Sequence, residues 1–97
     1  MRVEWDPSKN RENTEKHGIS FEEAAQLLLE TADPMEVFDE VHSGKENRFV
    51  AVGPIACGVI VVIFTERDDE TVRIISARKA TRREKGRYEA WKVGAFD

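Results

Sequence analysis

Cysteines, long apolar runs and leader sequences are scarce or missing in this chain of 97 residues. A single cysteine, Cys57, excludes a disulfide within the chain and fits a reducing compartment. No apolar run approaches the roughly 20 residues of a membrane-spanning helix. The N-terminus has no positively charged segment followed by an apolar one, so no secretory leader is expected. These absences predict a cytoplasmic protein without a membrane anchor.

Histidine and cysteine, the usual ligands of zinc, are equally scarce. The two histidines, His17 and His42, are distant from each other and from Cys57, so the spacing of a zinc site is missing. The sequence also has no calcium-binding loop and no glycine-rich loop of the kind that binds phosphates. We therefore expect neither a metal ion nor another cofactor.

Size and composition predict one globular domain. The chain is 40% hydrophobic, which is enough for a single modest core but not for two. No internal repeat or low-complexity segment interrupts it. We expect one domain over residues 1–97, with a loose C-terminal tail at residues 93–97.

Positive charge is concentrated in one stretch. Residues 73–92 carry a net charge of +6, whereas the whole chain carries −4, so the remainder sums to −10. Such polarity offers one surface to an anion while the rest of the molecule stays acidic. The basic residues of this stretch are Arg73, Arg78, Lys79, Arg82, Arg83, Lys85, Arg87 and Lys92.

A polar first helix is predicted over residues 7–17, after a short strand at residues 2–5. Asp6 suits the N-terminal cap, and Gly18 suits the left-handed position at the C-terminus. Because its surface is almost wholly polar, this helix should lie across one edge of the core. It should show Lys9, Asn13 and Lys16 on one side.

The second helix, predicted over residues 21–31, has the opposite character. Ser20 and Glu23 match a capping box, and an apolar stripe follows. The rest of the chain predicts four strands and a third helix that begins with a Thr81–Glu84 capping box. The strands are at residues 35–41, 47–53, 58–65 and 72–77, and the helix runs from residue 81 to about residue 91.

The predicted order is therefore β-α-α-β-β-β-β-α, which indicates an α+β fold. We expect an antiparallel sheet of about four to five strands with the helices packed on one face. The strand at residues 58–65 is apolar on both faces, so it should be central.

Short motifs near both ends of the chain resemble the BrnT family, small toxins of type II toxin–antitoxin systems. The resemblance covers residues 3–91, nearly the whole chain. It rests on Trp5-Asp6, Lys9, Asn13, Lys16-His17-Gly18, Phe21, Glu23-Ala24, Glu46 with Arg48, Gly53, Arg73-Ile74-Ile75-Ser76-Ala77-Arg78, Ala80, Glu84 and Tyr88.

The resemblance implies a RelE-like fold and a metal-independent endoribonuclease that inhibits translation and growth. It also implies neutralisation by a dimeric, DNA-binding antitoxin of the BrnA type. The two proteins would form a heterotetramer or similar complex that binds operator DNA through the antitoxin and represses its own operon. A homodimer of the free toxin is also compatible with the sequence.

Three arginines are candidates for holding the charge that develops on a phosphate during RNA cleavage. Arg48, Arg73 and Arg78 carry planar, permanently charged groups that bind two phosphate oxygens at once. Arg73 and Arg78 share one face of the sheet only if their strand ends or bulges near Ser76, because their separation is odd. The alternative for all three is a surface salt bridge to one of the many carboxylates.

Proton transfer requires an acid and a base, and His17 and Glu84 are the candidates. A histidine at the end of a helix suits the acid, although it can also simply bond the last carbonyl groups. Glu84 suits the base, although it can instead cap its helix or pair with an arginine. His42 is expected to be solvated surface.

The remaining candidates are contacts to RNA. Lys16 is a candidate phosphate contact, and Tyr88 with Trp91 can stack a base or face the core. A basic ridge suits a phosphate backbone of any sequence, or an acidic partner helix. The ridge consists of Lys79, Arg83 and Arg87, which repeat at i, i+4 and i+8, and Arg82 is a further candidate RNA contact. The rival hypothesis is a non-catalytic module that uses the same basic surface to bind nucleic acid or a protein.

Overall fold

The computed structural model describes residues 1–30, 34–38 and 47–94. Within these residues the chain forms five strands and three helices, in the order that the sequence predicts. The elements are β1 (Arg2–Glu4), α1 (Pro7–His17), α2 (Phe21–Glu30), β2 (Met35–Phe38), β3 (Arg48–Ile55), β4 (Gly58–Glu66), β5 (Thr71–Lys79) and α3 (Arg82–Lys92). Residues 39–46, which include the end of the predicted strand 35–41 and His42, lie outside the described part, as do residues 95–97.

One five-stranded sheet organises the molecule, with the strand order β1-β5-β4-β3-β2. Strands β2 to β5 pair antiparallel as expected, and β4 is central. The α+β class is confirmed, but β1 pairs parallel to β5. No hairpin joins these two strands, so the antiparallel direction that a tight turn imposes does not apply to them.

One side of the sheet packs against α2 and contains most of the core. We call this side the α2 face; it includes Ala51, Ile60 and Val62. Gly53 allows the close approach of the helix, because a Cβ atom there would lie 2.6 Å from a methyl group of Leu27. The capping box at the start of α2 is present, with the Glu23 amide donating to Ser20 Oγ over 3.1 Å.

The opposite side packs against α3, so the expectation that all helices lie on one face is wrong. This side, the α3 face, contains Val52 and Val61, which pack with Tyr88 of the helix. Alternation along β3 and β4 explains the division, because neighbouring residues point to opposite faces. The helix therefore covers the half of the α3 face that is nearest the β3–β4 hairpin.

α1 lies along the edge of β5 beyond the end of β1, which confirms that this polar helix covers an edge. Its buried residue is Asn13, which is 7% exposed. The Asn13 amide donates to the Ala77 carbonyl over 2.7 Å, and the Ala77 N–H donates to Asn13 Oδ1 over 3.1 Å. The side chain thus replaces the backbone of a missing neighbouring strand. Lys9, Asn13 and Lys16 lie on one side of α1 as predicted, but Asn13 is buried there rather than exposed.

The predicted helix ends are also present. The Ser8 N–H donates to Asp6 Oδ1 over 2.8 Å, and Gly18 adopts a left-handed φ of 73°. Thr81 and Glu84 form the complete capping box at the start of α3. None of the described helices is long and apolar enough to cross a membrane.

Candidate functional site

A β-bulge in β5 decides which arginines share a face. Ser76 pairs with Ile63 and Ile74 pairs with Phe64, so Ile75 is an extra residue without a partner on β4. The extra residue shifts the alternation of side chains, so residues before and after it that differ by an odd number point to the same face. Arg73 and Arg78 consequently both lie on the α3 face, as the sequence argument required for a shared surface.

Arg73 belongs to a row of three residues across the sheet. Thr65 of β4 pairs with Arg73 on one side and with Arg48 on the other. The two arginines are separated by two strand spacings, roughly 10 Å between their Cα atoms. Both are half-buried, whereas Thr65 is 0% exposed. The row lies on the half of the α3 face away from the helix.

A cleft runs beside this row, between α1 and the bulge. One cavity of about 300 Å³ contains the row, and a second of about 250 Å³ extends toward the end of α1. Both are lined by Lys9 and Ile75, so they adjoin, and together we call them the α1 cleft. The first is also lined by Asp6, Arg48, Thr65, Arg73 and Ile74, and the second by Glu12, Asn13, Lys16, His17 and Ser76.

The lining of the α1 cleft is cationic. In the described part of the chain it contains four permanent positive charges from lysine and arginine and two carboxylates, which are those of Asp6 and Glu12. The half-buried imidazole of His17 adds a group that can donate or accept a proton. Four residues predicted for the site, Arg48, Arg73, Lys16 and His17, are therefore brought to one cleft. This arrangement suits an anion and proton transfer to or from it.

Thr65 is one of the cleft residues that were not predicted as site residues; Lys9, Asp6 and Glu12 are others. The hydroxyl oxygen of Thr65 is buried and has no hydrogen-bond partner within the described part of the chain. Buried hydroxyl groups normally have a partner. The available signal was a polar residue at the end of an otherwise apolar run, but its position between two arginines depends on the strand register.

Arg78 lies on the same face as Arg73 but outside the lining of the α1 cleft. Its partner on β4 is Val61, four residues from Thr65, which corresponds to roughly 13 Å along the strand. Its guanidinium donates to both oxygens of Glu84, over 2.7 Å and 2.8 Å. The structure therefore separates Arg78 from the other two predicted arginines.

The Glu84 carboxylate accepts three hydrogen bonds at the start of α3, two from Arg78 and one from Thr81. Its Oε1 accepts from the Thr81 N–H over 2.8 Å, in addition to the two bonds from Arg78. The bonds from Arg78 lower the pKa of Glu84 from 4.5 to about 2, and the carboxylate in turn raises the pKa of Arg78. Glu84 thus caps its helix and pairs with an arginine, which are the two alternatives to a catalytic base.

Tyr88 occupies a core position rather than a binding surface. Its side chain is 6% exposed and packs with Val52 and Val61. The ring of Trp91 lies 6.0 Å from it, at an interplanar angle of 32°. Tyr88 therefore faces the core, which was the alternative to stacking an RNA base. Its buried ring has no open face on which a base could stack.

The remaining predicted RNA contacts form a second basic surface. Arg82, Arg83 and Arg87 are exposed on α3, and Lys79 is exposed at the end of β5. Because Lys79 precedes the helix, it does not continue the helical spacing of Arg83 and Arg87. We call these four residues the α3 patch. Among the described residues, no group of three or more histidine, cysteine, aspartate or glutamate side chains is placed to hold a metal ion.

Comparison with known families decides the relationship of this chain. Residues 5–84 match the family described as "Ribonuclease toxin, BrnT, of type II toxin-antitoxin system". The chain belongs to the BrnT toxin family. The match spans every residue of the α1 cleft and ends at Glu84, before Arg87 and Tyr88. The resemblance inferred from the sequence is thereby confirmed.

A solved structure supports the same assignment. The crystal structure of the Brucella abortus ribonuclease toxin BrnT is 26% identical and superimposes with a TM-score of 0.65. The alignment covers 84% of this chain and 99% of that one. No curated protein sequence matches the chain. The family consists of ribonuclease toxins, which act on RNA and are counteracted by an antitoxin protein.

Proposed function

We propose that this chain is an active toxin that cleaves RNA without a metal ion, inhibits translation and arrests growth in the cytoplasm. The observation that carries the proposal is the α1 cleft. It combines Arg48 and Arg73 from the sheet with Lys16 and His17 from α1. We also propose that residues 1–97 act as one domain.

The cleft residues match the requirements of metal-free cleavage. The attacking 2′-hydroxyl must lose a proton, the phosphate gains charge, and the leaving 5′-oxygen must be protonated. Arg48 and Arg73 stabilise the developing charge because their guanidinium groups remain charged and bind oxygens in pairs. His17 serves as the acid, and the carboxylates of Asp6 and Glu12 are the acceptors in the cleft for the 2′-hydroxyl proton.

Arg78 and Glu84 have a positioning role in this proposal. A carboxylate with a pKa of about 2 is a weak base at neutral pH, and both of its oxygens already accept hydrogen bonds. The pair links the end of β5 to the first turn of α3. We assign it to holding α3 on the sheet rather than to proton transfer.

The antitoxin in this proposal is of the BrnA type, a dimeric DNA-binding protein. It neutralises the toxin in a heterotetramer or similar complex and carries that complex to operator DNA. The exposed cations of the α3 patch suit an acidic segment of such a partner.

Expression in a bacterial host tests the proposal. We expect induced wild-type protein to arrest growth and its lysate to degrade RNA in the presence of EDTA. Replacing Arg73 with alanine should abolish both effects. Arg11→Ala is the matched control, because Arg11 is an exposed arginine of α1 outside the cleft lining, and it should behave as wild type.

A non-catalytic binding module is the second candidate, and the α3 patch favours it. Exposed cations bind phosphates of any sequence without chemistry. In that case, folded wild-type protein would bind RNA, leave it intact and permit normal growth.

A third outcome concerns the metal ion. RNA loss that EDTA prevents would contradict the metal-free mechanism, while the protein would still be a ribonuclease.

A further inference from the structure

The floor of the α1 cleft contains a hydroxyl group in an unusual position. Thr65 lines the same cavity as Arg48 and Arg73 and pairs with both of them in the sheet. Its side chain is fully buried, and Oγ1 has no partner among the described residues. An unpaired hydroxyl therefore lies between two guanidinium-bearing positions.

Folding alone gives no reason for this hydroxyl. The preceding residues of β4 are valine, isoleucine and phenylalanine, which suit a buried strand. Valine has nearly the shape of threonine and would fill the same space without a buried polar atom. A hydroxyl that loses its hydrogen bonds to water on burial and gains no replacement destabilises the folded state.

The surroundings of Thr65 indicate what its partner is. The lining of this cavity carries three positive charges, from Lys9, Arg48 and Arg73, and one negative charge, from Asp6. Among the described residues the lining is thus net cationic, and Thr65 is its hydroxyl-bearing member. A hydroxyl donates readily to a charged oxygen, and such a bond is stronger than one between neutral groups.

We propose that Thr65 Oγ1 donates a hydrogen bond to a non-bridging oxygen of the RNA phosphate that lies between Arg48 and Arg73. This inference rests on the proposed ribonuclease function, and it makes Thr65 a substrate-binding residue at the phosphate that is cleaved. Oγ1, which has no partner among the described residues of the free protein, then gains one in the complex. The cost of the buried group is recovered when substrate binds.

Two substitutions at Thr65 test the assignment. Thr65→Val removes the hydroxyl and keeps the shape, whereas Thr65→Ser keeps the hydroxyl. We expect Thr65→Val to raise Tm by about 4 °C, since a buried unpaired group is removed. The same change should lower kcat/KM for RNA cleavage by about 10-fold to 100-fold, the loss typical of a hydrogen bond to a charged group. Thr65→Ser should retain most of the activity.

A 2′-deoxy oligonucleotide provides a readout that does not depend on cleavage. It has the phosphodiester but lacks the attacking hydroxyl, so the change in its affinity on substitution of Thr65 reports on phosphate binding without the chemical step. We expect Thr65→Val to weaken its binding and Thr65→Ser to preserve it. This result would support the subsite even if the wild-type protein cleaved no RNA, in which case only the proposed catalytic function would fail.

Two results would overturn the inference. Unchanged cleavage and unchanged oligonucleotide binding in Thr65→Val would remove Thr65 from the substrate site while the ribonuclease proposal stands. A lower Tm for Thr65→Val would show that the hydroxyl stabilises the folded protein through a partner of its own.

Discussion

Two basic regions of this toxin differ in how their charges are held. Arg48 and Arg73 are half-buried, extend from paired strands and line a cleft. The α3 patch has more charges, but they lie on the exposed surface of one helix and the end of β5. If the functional site is sought by the density of positive charge along the chain, the α3 patch is selected. If it is sought by the geometry of the folded chain, the α1 cleft is selected.

The physical difference concerns preorganisation and screening. Strand positions fix where a guanidinium group can reach, and partial burial strengthens its interaction with a phosphate. Exposed lysine and arginine side chains remain mobile, and salt screens their field within about 10 Å at ordinary ionic strength. The cleft arginines should hence determine the rate of the chemical step, and the α3 patch should determine how tightly RNA is captured.

Substitution of Arg73 should give the largest effect. We expect Arg73→Ala to lower kcat by about 100-fold to 1,000-fold with little change in KM, as when one preorganised donor to a transition state is lost. Arg73→Lys retains the charge but loses the planar fork, so it should recover only part of the rate. Steady-state kinetics on a short RNA measures both. A rise in KM without a fall in kcat would mean that Arg73 contributes to RNA binding, as the α3 patch does, and not to the chemical step.

Removal of the α3 patch charges should give an intermediate effect of a different kind. The triple substitution Arg82→Ala, Arg83→Ala and Arg87→Ala should raise KM by about 10-fold and leave kcat unchanged. The slope of log affinity against log salt should fall by about 2, since about 0.7 counterions are released per phosphate contact on single strands. Alanine maintains helix propensity, so Tm should not fall. A fall in kcat would contradict the division of roles.

The smallest effect should come from Glu84, which holds the first turn of α3 to the end of β5 through Arg78. Glu84→Gln weakens both the helix cap and the ion pair with Arg78. The side chain of Arg78 is 36% exposed and that of Glu84 is 32% exposed. We expect a loss of about 1 kcal/mol of unfolding free energy at pH 7, because solvent screens such a pair. Denaturant unfolding measures this loss, and Glu89→Gln, an exposed glutamate of the same helix, is the control.

The pH dependence of this effect has a definite sign. The pKa of Glu84 is lowered in the folded state from 4.5 to about 2, so the carboxylate stabilises the fold above pH 4.5. That stabilisation disappears as the pH falls from 4.5 toward 2. The difference between wild type and Glu84→Gln should therefore shrink in this window. A difference that is independent of pH would mean that the pair contributes nothing to stability.

Local patterns predicted the fold well where one segment determined the outcome. The caps at Asp6, Gly18, Ser20 and Thr81 follow from residue chemistry within one turn, and all are present. The parallel pairing of β1 and the position of α3 depend on contacts between distant segments. Periodicity does not encode these contacts, and for that reason the prediction that all helices lie on one face was wrong.

The site shows the same limit more clearly. Arg48, Arg73, Lys16 and His17 were identifiable as cations and a proton donor from their residue types. Thr65 was not, because its significance arises only from its two neighbours across the sheet. The burial of Asn13 was missed for a related reason, since a polar side chain can be buried when it replaces a missing strand.

The bulge at Ile75 has a consequence for comparing members of this family. On β5, residues on opposite sides of Ile75 lie on the same face when their numbers differ by an odd amount, and residues on one side of it follow the usual even rule. An assignment of faces by simple alternation therefore inverts half of the strand. When a related chain is compared with this one, the cleft positions of this chain have to be counted from Ile75 outward.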